Sequence, residues 1–169
     1  CSSAVDELSA MSLRVRHYKE RRIDNLTVVA PDMGFAKRAR NFAEQLNVPL
    51  AIVEKRHLHD IQPSDDSQMH VEALNVIGEV AGRNCILVDD EVATGSSLIA
   101  AAELLIARGA AAVSAAVVHP ILAGKALARL KNSPIDELVT TDSLPIADVH
   151  KYPNVRVLSI STQLAEVMQ

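Results

Sequence analysis

The chain has 169 residues and a net charge of −4, and 49% of its residues are hydrophobic. The length fits one domain of common size, the charge does not favour a nucleic-acid partner, and no apolar run approaches the ~18 residues of a membrane span. Aromatic residues make up 2% and Trp is absent, so the core must be built from Val, Ile, Leu and Ala.

In chain order, residues 1–10 carry no strong pattern, and 11–22 read as a helix with a basic exposed face. The β-branched run at 26–31 ends on Pro31 and predicts a buried strand. Residues 35–46 place Phe35, Ala39, Phe42, Ala43 and Leu46 on one helical face. A second strand follows at 49–54. Residues 55–70 are polar and aperiodic, which predicts a long loop, mobile over 56–70 without ligand. Residues 71–80 lean to strand, and 84–90 form a buried strand that holds Cys85 as a small core residue. With Cys1 at the chain end, these two cysteines make no disulfide framework, so a reducing compartment is expected. A helix over 96–109 ends on Gly109 just past its cap. Then come a strand at 111–120, a short helix at 123–132, strands at 137–145 and 155–160, and a terminal helix at 161–169. Strands and helices alternating through short links predict an α/β fold, a parallel sheet covered on both faces.

Ligands of an open α/β sheet sit beyond the carboxyl ends of its strands. Asp89 and Asp90 lie at such an end, followed by Ala93, Thr94, Gly95, Ser96 and Ser97 at the opening of a helix. Small residues let the backbone curl so that N–H groups and the helix N-terminus form a phosphate cradle. Two acids would repel that phosphate, so they serve another part of the same ligand: sugar hydroxyls, directly or through Mg²⁺. The pattern predicts a grip on ribose 5-phosphate. The bland alternative is a solvated acidic strand end with a Ser-Gly turn capping the helix. A phosphoacceptor receiver would need its acids after the first strand and a Lys after a late strand, and neither is found. Lys55 and Arg56, heading the polar loop, read from composition alone as ordinary solvated residues. His57, His59 and His70 match no zinc spacing, and His119 reads as a strand-end residue.

The stretch "ILVDDEVATGSSL" resembles the phosphoribosyl-diphosphate loop of the type I phosphoribosyltransferase fold. More specifically, "VVAPDMGFAKRARNFAEQLNVPLAIVEKRH", "VIGEVAGRNCILVDDEVATG", "VVHPILAGKALARLKNSPIDELVTTDSLP" and "VRVLSISTQLAEVM" resemble the C-terminal half of the ribose-phosphate pyrophosphokinase (PRPP synthase) family. The resemblance runs from about residue 20 to the end. It implies a parallel-sheet, three-layer phosphoribosyltransferase-like domain at 23–169 that binds ribose 5-phosphate, with 1–22 a linker and helix left from a domain junction. It also implies transfer of a diphosphoryl group from ATP to the 1-hydroxyl of ribose 5-phosphate, with Mg²⁺, in a cytoplasmic homo-oligomer, dimer or hexamer, without nucleic acid or membrane. It sets Asp32 beside the metal and diphosphate, Lys55 and Arg56 on the catalytic loop, and His57, Asp89, Asp90 and Ala93–Ser97 with the ribose 5-phosphate.

Three departures bear on activity. His57 stands where the family usually has an Arg that helps hold the reacting phosphates, Ala93 removes an acid, and Ser96 replaces a glycine. The loop after His57 is also longer than usual. Such loops occur in non-catalytic synthase-associated proteins, so an inactive regulatory subunit is the alternative. A free-standing phosphoribosyltransferase is a third reading, and would need a base-recognising hood that no segment resembles. The family's other half, which supplies most of the adenine site, is not in these residues. The chain opens without Met, and is expected to be part of something longer and inactive alone.

Overall fold

The computed structural model describes residues 4–57 and 72–161. Its helices are α1 (Ala4–Arg21), α2 (Ala36–Leu46), α3 (Ser96–Ala107) and α4 (Ala126–Lys131). Its strands are β1 (Leu26–Ala30), β2 (Leu50–His57), β3 (Glu72–Ile77), β4 (Asn84–Val92), β5 (Ala112–Pro120), β6 (Ile135–Thr141) and β7 (Val155–Leu158). They form one sheet in the order β3-β2-β1-β4-β5-β6-β7. Every neighbouring pair is parallel except β2–β3, which is antiparallel at the edge.

The sheet separates two apolar layers. On one face Leu87, Val113, Ala115 and Val117 pack under Leu98, Ala102 and Leu105 of α3 and Leu130 of α4. On the other, Val28, Ile86 and Val88 pack under Val15 and Tyr18 of α1 and Ala39, Phe42 and Ala43 of α2. Most of the core is β-branched strand residues meeting Ala and Leu, as composition predicts, but on the α1 and α2 face two of the few aromatics, Tyr18 and Phe42, are among its largest fully buried side chains. Cys85 is buried, and that burial pushes its thiol up to about 11. Among the described residues no helix is long and apolar enough to cross a membrane.

The alternation of strands and helices is as the sequence predicts, and α3 ends through Gly109, whose φ of 88° and N–H bond to the Ile106 carbonyl turn the chain. Several boundaries differ: β3 ends at Ile77 rather than 80, α4 begins at Ala126 rather than 123, β6 spans Ile135–Thr141 rather than 137–145, and β7 ends at Leu158 rather than 160. α1 begins at Ala4, within the stretch without pattern. Residues 1–22, expected as junction linker and helix, thus contribute an element whose Val15 and Tyr18 are buried in the core. The helix expected from Phe35 starts at Ala36, after a single 3₁₀ turn at Met33–Phe35 capped by Asp32. β2 runs three residues past its expected end, because β3 returns antiparallel and pairs Leu74, Ala73 and Glu72 with Lys55, Arg56 and His57. The rest of the expected mobile loop, 58–70, and the expected terminal helix beyond Ser161 lie outside the described residues.

Candidate functional site

Because β1, β2, β4, β5 and β6 run in one direction, their carboxyl ends share one edge of the sheet. A cleft of about 380 Å³ opens there, lined by Asp32 after β1, Lys55 on β2, Asp89 on β4, and Ser96 and Ser97 at the start of α3. Five residues separated by up to 65 positions in sequence thus meet at one place.

The loop into α3 has the features of an anion cradle. Gly95 adopts φ 80°, a left-handed conformation that other residues reach only under strain, and a Cβ there would stand 3.4 Å from Leu130 of α4. Ala93, Thr94, Ser96 and Ser97 are exposed. The Ile99 N–H closes the first turn onto the Gly95 carbonyl at 2.9 Å. Among the described residues the Thr94, Gly95 and Ser97 N–H groups donate to no protein acceptor, and that of Ser96 reaches only the Thr94 hydroxyl, at 3.4 Å. From the far side, Arg129 of α4 extends its guanidinium to 3.4 Å from the Ser96 hydroxyl.

The pleat of β4 sends its two acids to opposite faces. Asp89 follows Leu87 toward the α3 side and the cleft. Asp90 follows Ile86 and Val88 toward α2, where it forms an ion pair with Arg38. Burial raises the Asp89 carboxyl to about 6, and repulsion from Asp32 and Glu91 adds to it, against the pull of Arg14 and Arg38. The Asp90 N–H donates to Asp89 Oδ1 at 2.8 Å, which fixes that carboxylate's direction. Asp32 accepts the Phe35 N–H at 2.9 Å through Oδ1 and lines the cleft.

On β2 the same alternation divides the expected catalytic pair. Val53 and Lys55 face the cleft, while Arg56 lies on the other face and pairs with Glu54 at 3.2 Å. His57 ends the strand. His119 is the penultimate residue of β5, the strand-end place expected for it, with Nδ1 3.1 Å from the Ser143 hydroxyl. Among the described residues no group of three or more His, Cys, Asp or Glu side chains converges on a metal position.

Sequence reasoning missed three arginines at this edge: Arg14, Arg38 and Arg129. Arg38 lies in the first turn of the helix after β1, so its position near the strand ends was readable from the βα order. Arg129 could be placed only once α4 was known to pack beside α3. Arg14 sits at the i+4 position between buried Ala10 and Tyr18, and a charge on a buried face cannot be told from a solvated one by pattern.

The family description "Phosphoribosyl synthetase-associated domain" matches residues 59–169. A ribose-phosphate pyrophosphokinase of Bradyrhizobium diazoefficiens is 44% identical over 165 residues, covering 96% of this chain and 50% of that protein. One of Ralstonia nicotianae is 41% identical over 163 residues, covering 96% and 49%. The chain therefore spans about half the length of the curated relatives it matches. Among solved structures, a phosphoribosylpyrophosphate synthetase of Mycobacterium smegmatis superposes with a TM-score of 0.79 at 32% identity, over 94% of this chain and 49% of that one. A purine phosphoribosyltransferase of Pyrococcus horikoshii Ot3 superposes with a TM-score of 0.55 at 13% identity, over 94% and 89%, and shows a shared fold.

Proposed function

The chain belongs to the phosphoribosyl synthetase-associated domain family, and we propose that it is the ribose-5-phosphate-binding half of a ribose-phosphate diphosphokinase. The whole enzyme moves a diphosphoryl group from ATP to the 1-hydroxyl of ribose 5-phosphate, giving PRPP and AMP. One observation carries this reading: a single cleft gathers an acid at a strand end, a lysine and the open end of a helix from separate parts of the chain.

In this reading the 5-phosphate rests on the N–H groups and hydroxyls of residues 94–97. Asp89 and Asp90 accept from the ribose hydroxyls, Asp90 by sharing itself with Arg38. Lys55 brings its ammonium to the charge that builds as the diphosphoryl group changes oxygens, and transfers of this kind depend on positioning and such charge. Arg56, on the opposite face of β2 and paired with Glu54, has the smaller part toward the same phosphates and reaches them only by leaving that pair. Two carboxylates in one cleft, Asp32 and Asp89, fit Mg²⁺, which takes one or two protein carboxylates and completes its shell with water and substrate phosphate. Asp32 would hold it, and the ion supplies neutralisation of phosphate charge. The protein works in the cytoplasm as a homo-oligomer.

The test is AMP release from ATP and ribose 5-phosphate with Mg²⁺ by the full-length protein. Turnover is expected there and not from the 169-residue chain alone. Lys55→Ala should lower kcat by about 10²–10³ and leave ribose 5-phosphate affinity nearly unchanged. The substitutions at His57, Ala93 and Ser96 favour one second reading, a non-catalytic synthase subunit. A full-length protein that turns nothing over, yet enters the oligomer of an active synthase, would replace the first reading by the second.

A further inference from the structure

Arg14 is 4% exposed, and it lies in the apolar layer between α1 and the sheet. Its Nη1 donates to the Ala116 carbonyl at 3.1 Å and to the Asp89 carbonyl at 3.5 Å, thereby touching β5 and β4 at adjacent points. Its Nε donates to the Ala10 carbonyl at 3.3 Å, and its guanidinium carbon stands 5.4 Å from the centre of the Phe42 ring. The side chain is thus held from both ends and along its plane. Burial lowers it only to about 10, so it remains a cation at neutral pH. A buried guanidinium is costly unless its donors are satisfied and an opposite charge is near. Here its acceptors are carbonyls, and Asp89 is the acid whose charge stabilises it. Packing alone would have been served by Leu or Met at this position.

We propose that Arg14 is a positioning residue for the sugar half of the ligand: it pins the carboxyl end of β4 to β5 from beneath, and so fixes where Asp89 and Asp90 meet the ribose hydroxyls. The inference rests on the ribose-5-phosphate reading and adds to it a division of labour. Arg14 acts on the acid pair and does not touch the 94–97 cradle. Its loss therefore weakens recognition of the sugar without weakening recognition of phosphate.

The experiment compares two ligands on the full-length protein by titration calorimetry in Mg²⁺ without ATP: ribose 5-phosphate and inorganic phosphate. Wild type should bind ribose 5-phosphate more tightly than phosphate. Arg14→Met, which keeps length and apolar packing, should weaken ribose 5-phosphate about tenfold, the equivalent of about 1.4 kcal/mol, and change phosphate affinity less than about twofold. Arg14→Lys, which keeps the charge but cannot span two carbonyls in one plane, should show the same selective loss at smaller size. General destabilisation would weaken both ligands together, and melting curves of each variant show whether it folds. If Arg14→Met does not fold, the affinity ratio in Arg14→Lys decides. Preference for ribose 5-phosphate in wild type that survives unchanged in a folded variant overturns the role of Arg14 alone. A wild-type protein that binds neither ligand, or binds both equally, overturns the ribose-5-phosphate reading and this inference with it.

Discussion

Asp89 is held where ionisation is difficult: half-buried, beside Asp32 and Glu91, with its carboxyl raised to about 6. A carboxylate with a folded-state pKa above its unfolded value opposes folding when charged. The penalty is full above about pH 6, shrinks as pH falls through that value, and is gone below the unfolded carboxylate's ordinary range. Asp89→Asn, which keeps an acceptor for the Asp90 N–H, should therefore melt higher than wild type at pH 7, with the difference closing by about pH 4. Scanning calorimetry across that range checks the sign. The same variant should bind ribose 5-phosphate more weakly, a cost to stability kept for function. At the neighbouring strand, Lys55 faces the cleft and Arg56 faces away. Full-length Arg56→Ala should lose less turnover than Lys55→Ala in parallel assays of AMP release.

Among the elements, the turn into α3 depends most on one residue. Gly95 combines a left-handed backbone with close approach to Leu130. Gly95→Ala should cost about 1 kcal/mol from backbone strain alone, more if Leu130 must move. It should also weaken phosphate binding, because the N–H groups of residues 94–97 share that backbone. Urea unfolding and phosphate titration measure the two effects separately. The sequence made α3 legible because small and apolar residues follow a turn signal and stop at Gly109. It made the acid pair and cradle legible because both lie within one short stretch, at a strand end and a helix start. The reach of β2 was not legible. Lys55, Arg56 and His57 are polar, and only pairing with β3, some fifteen residues on, holds them extended. Nor was α1 fully readable, since its buried face carries Arg14 among Ala10, Val15 and Tyr18.

Across the whole molecule, the order β3-β2-β1-β4-β5-β6-β7 decides what can meet. It sets β1, β2 and β4 side by side at the sheet's centre, so that Asp32, Lys55 and Asp89 share a cleft although strand order follows no local rule in the sequence. The two helical layers divide the support: α3 and α4 build the cradle, and α1 and α2 hold the acid pair through Arg14 and Arg38. The most direct test of this arrangement is a crystal structure of the chain with ribose 5-phosphate and Mg²⁺. The 5-phosphate should lie against the N–H groups of residues 94–97, with ribose hydroxyls on Asp89 and Asp90. A sugar phosphate seated elsewhere, for instance along Lys125 and Arg129 in the groove between α3 and α4, with the 94–97 N–H groups left unbound, would contradict it.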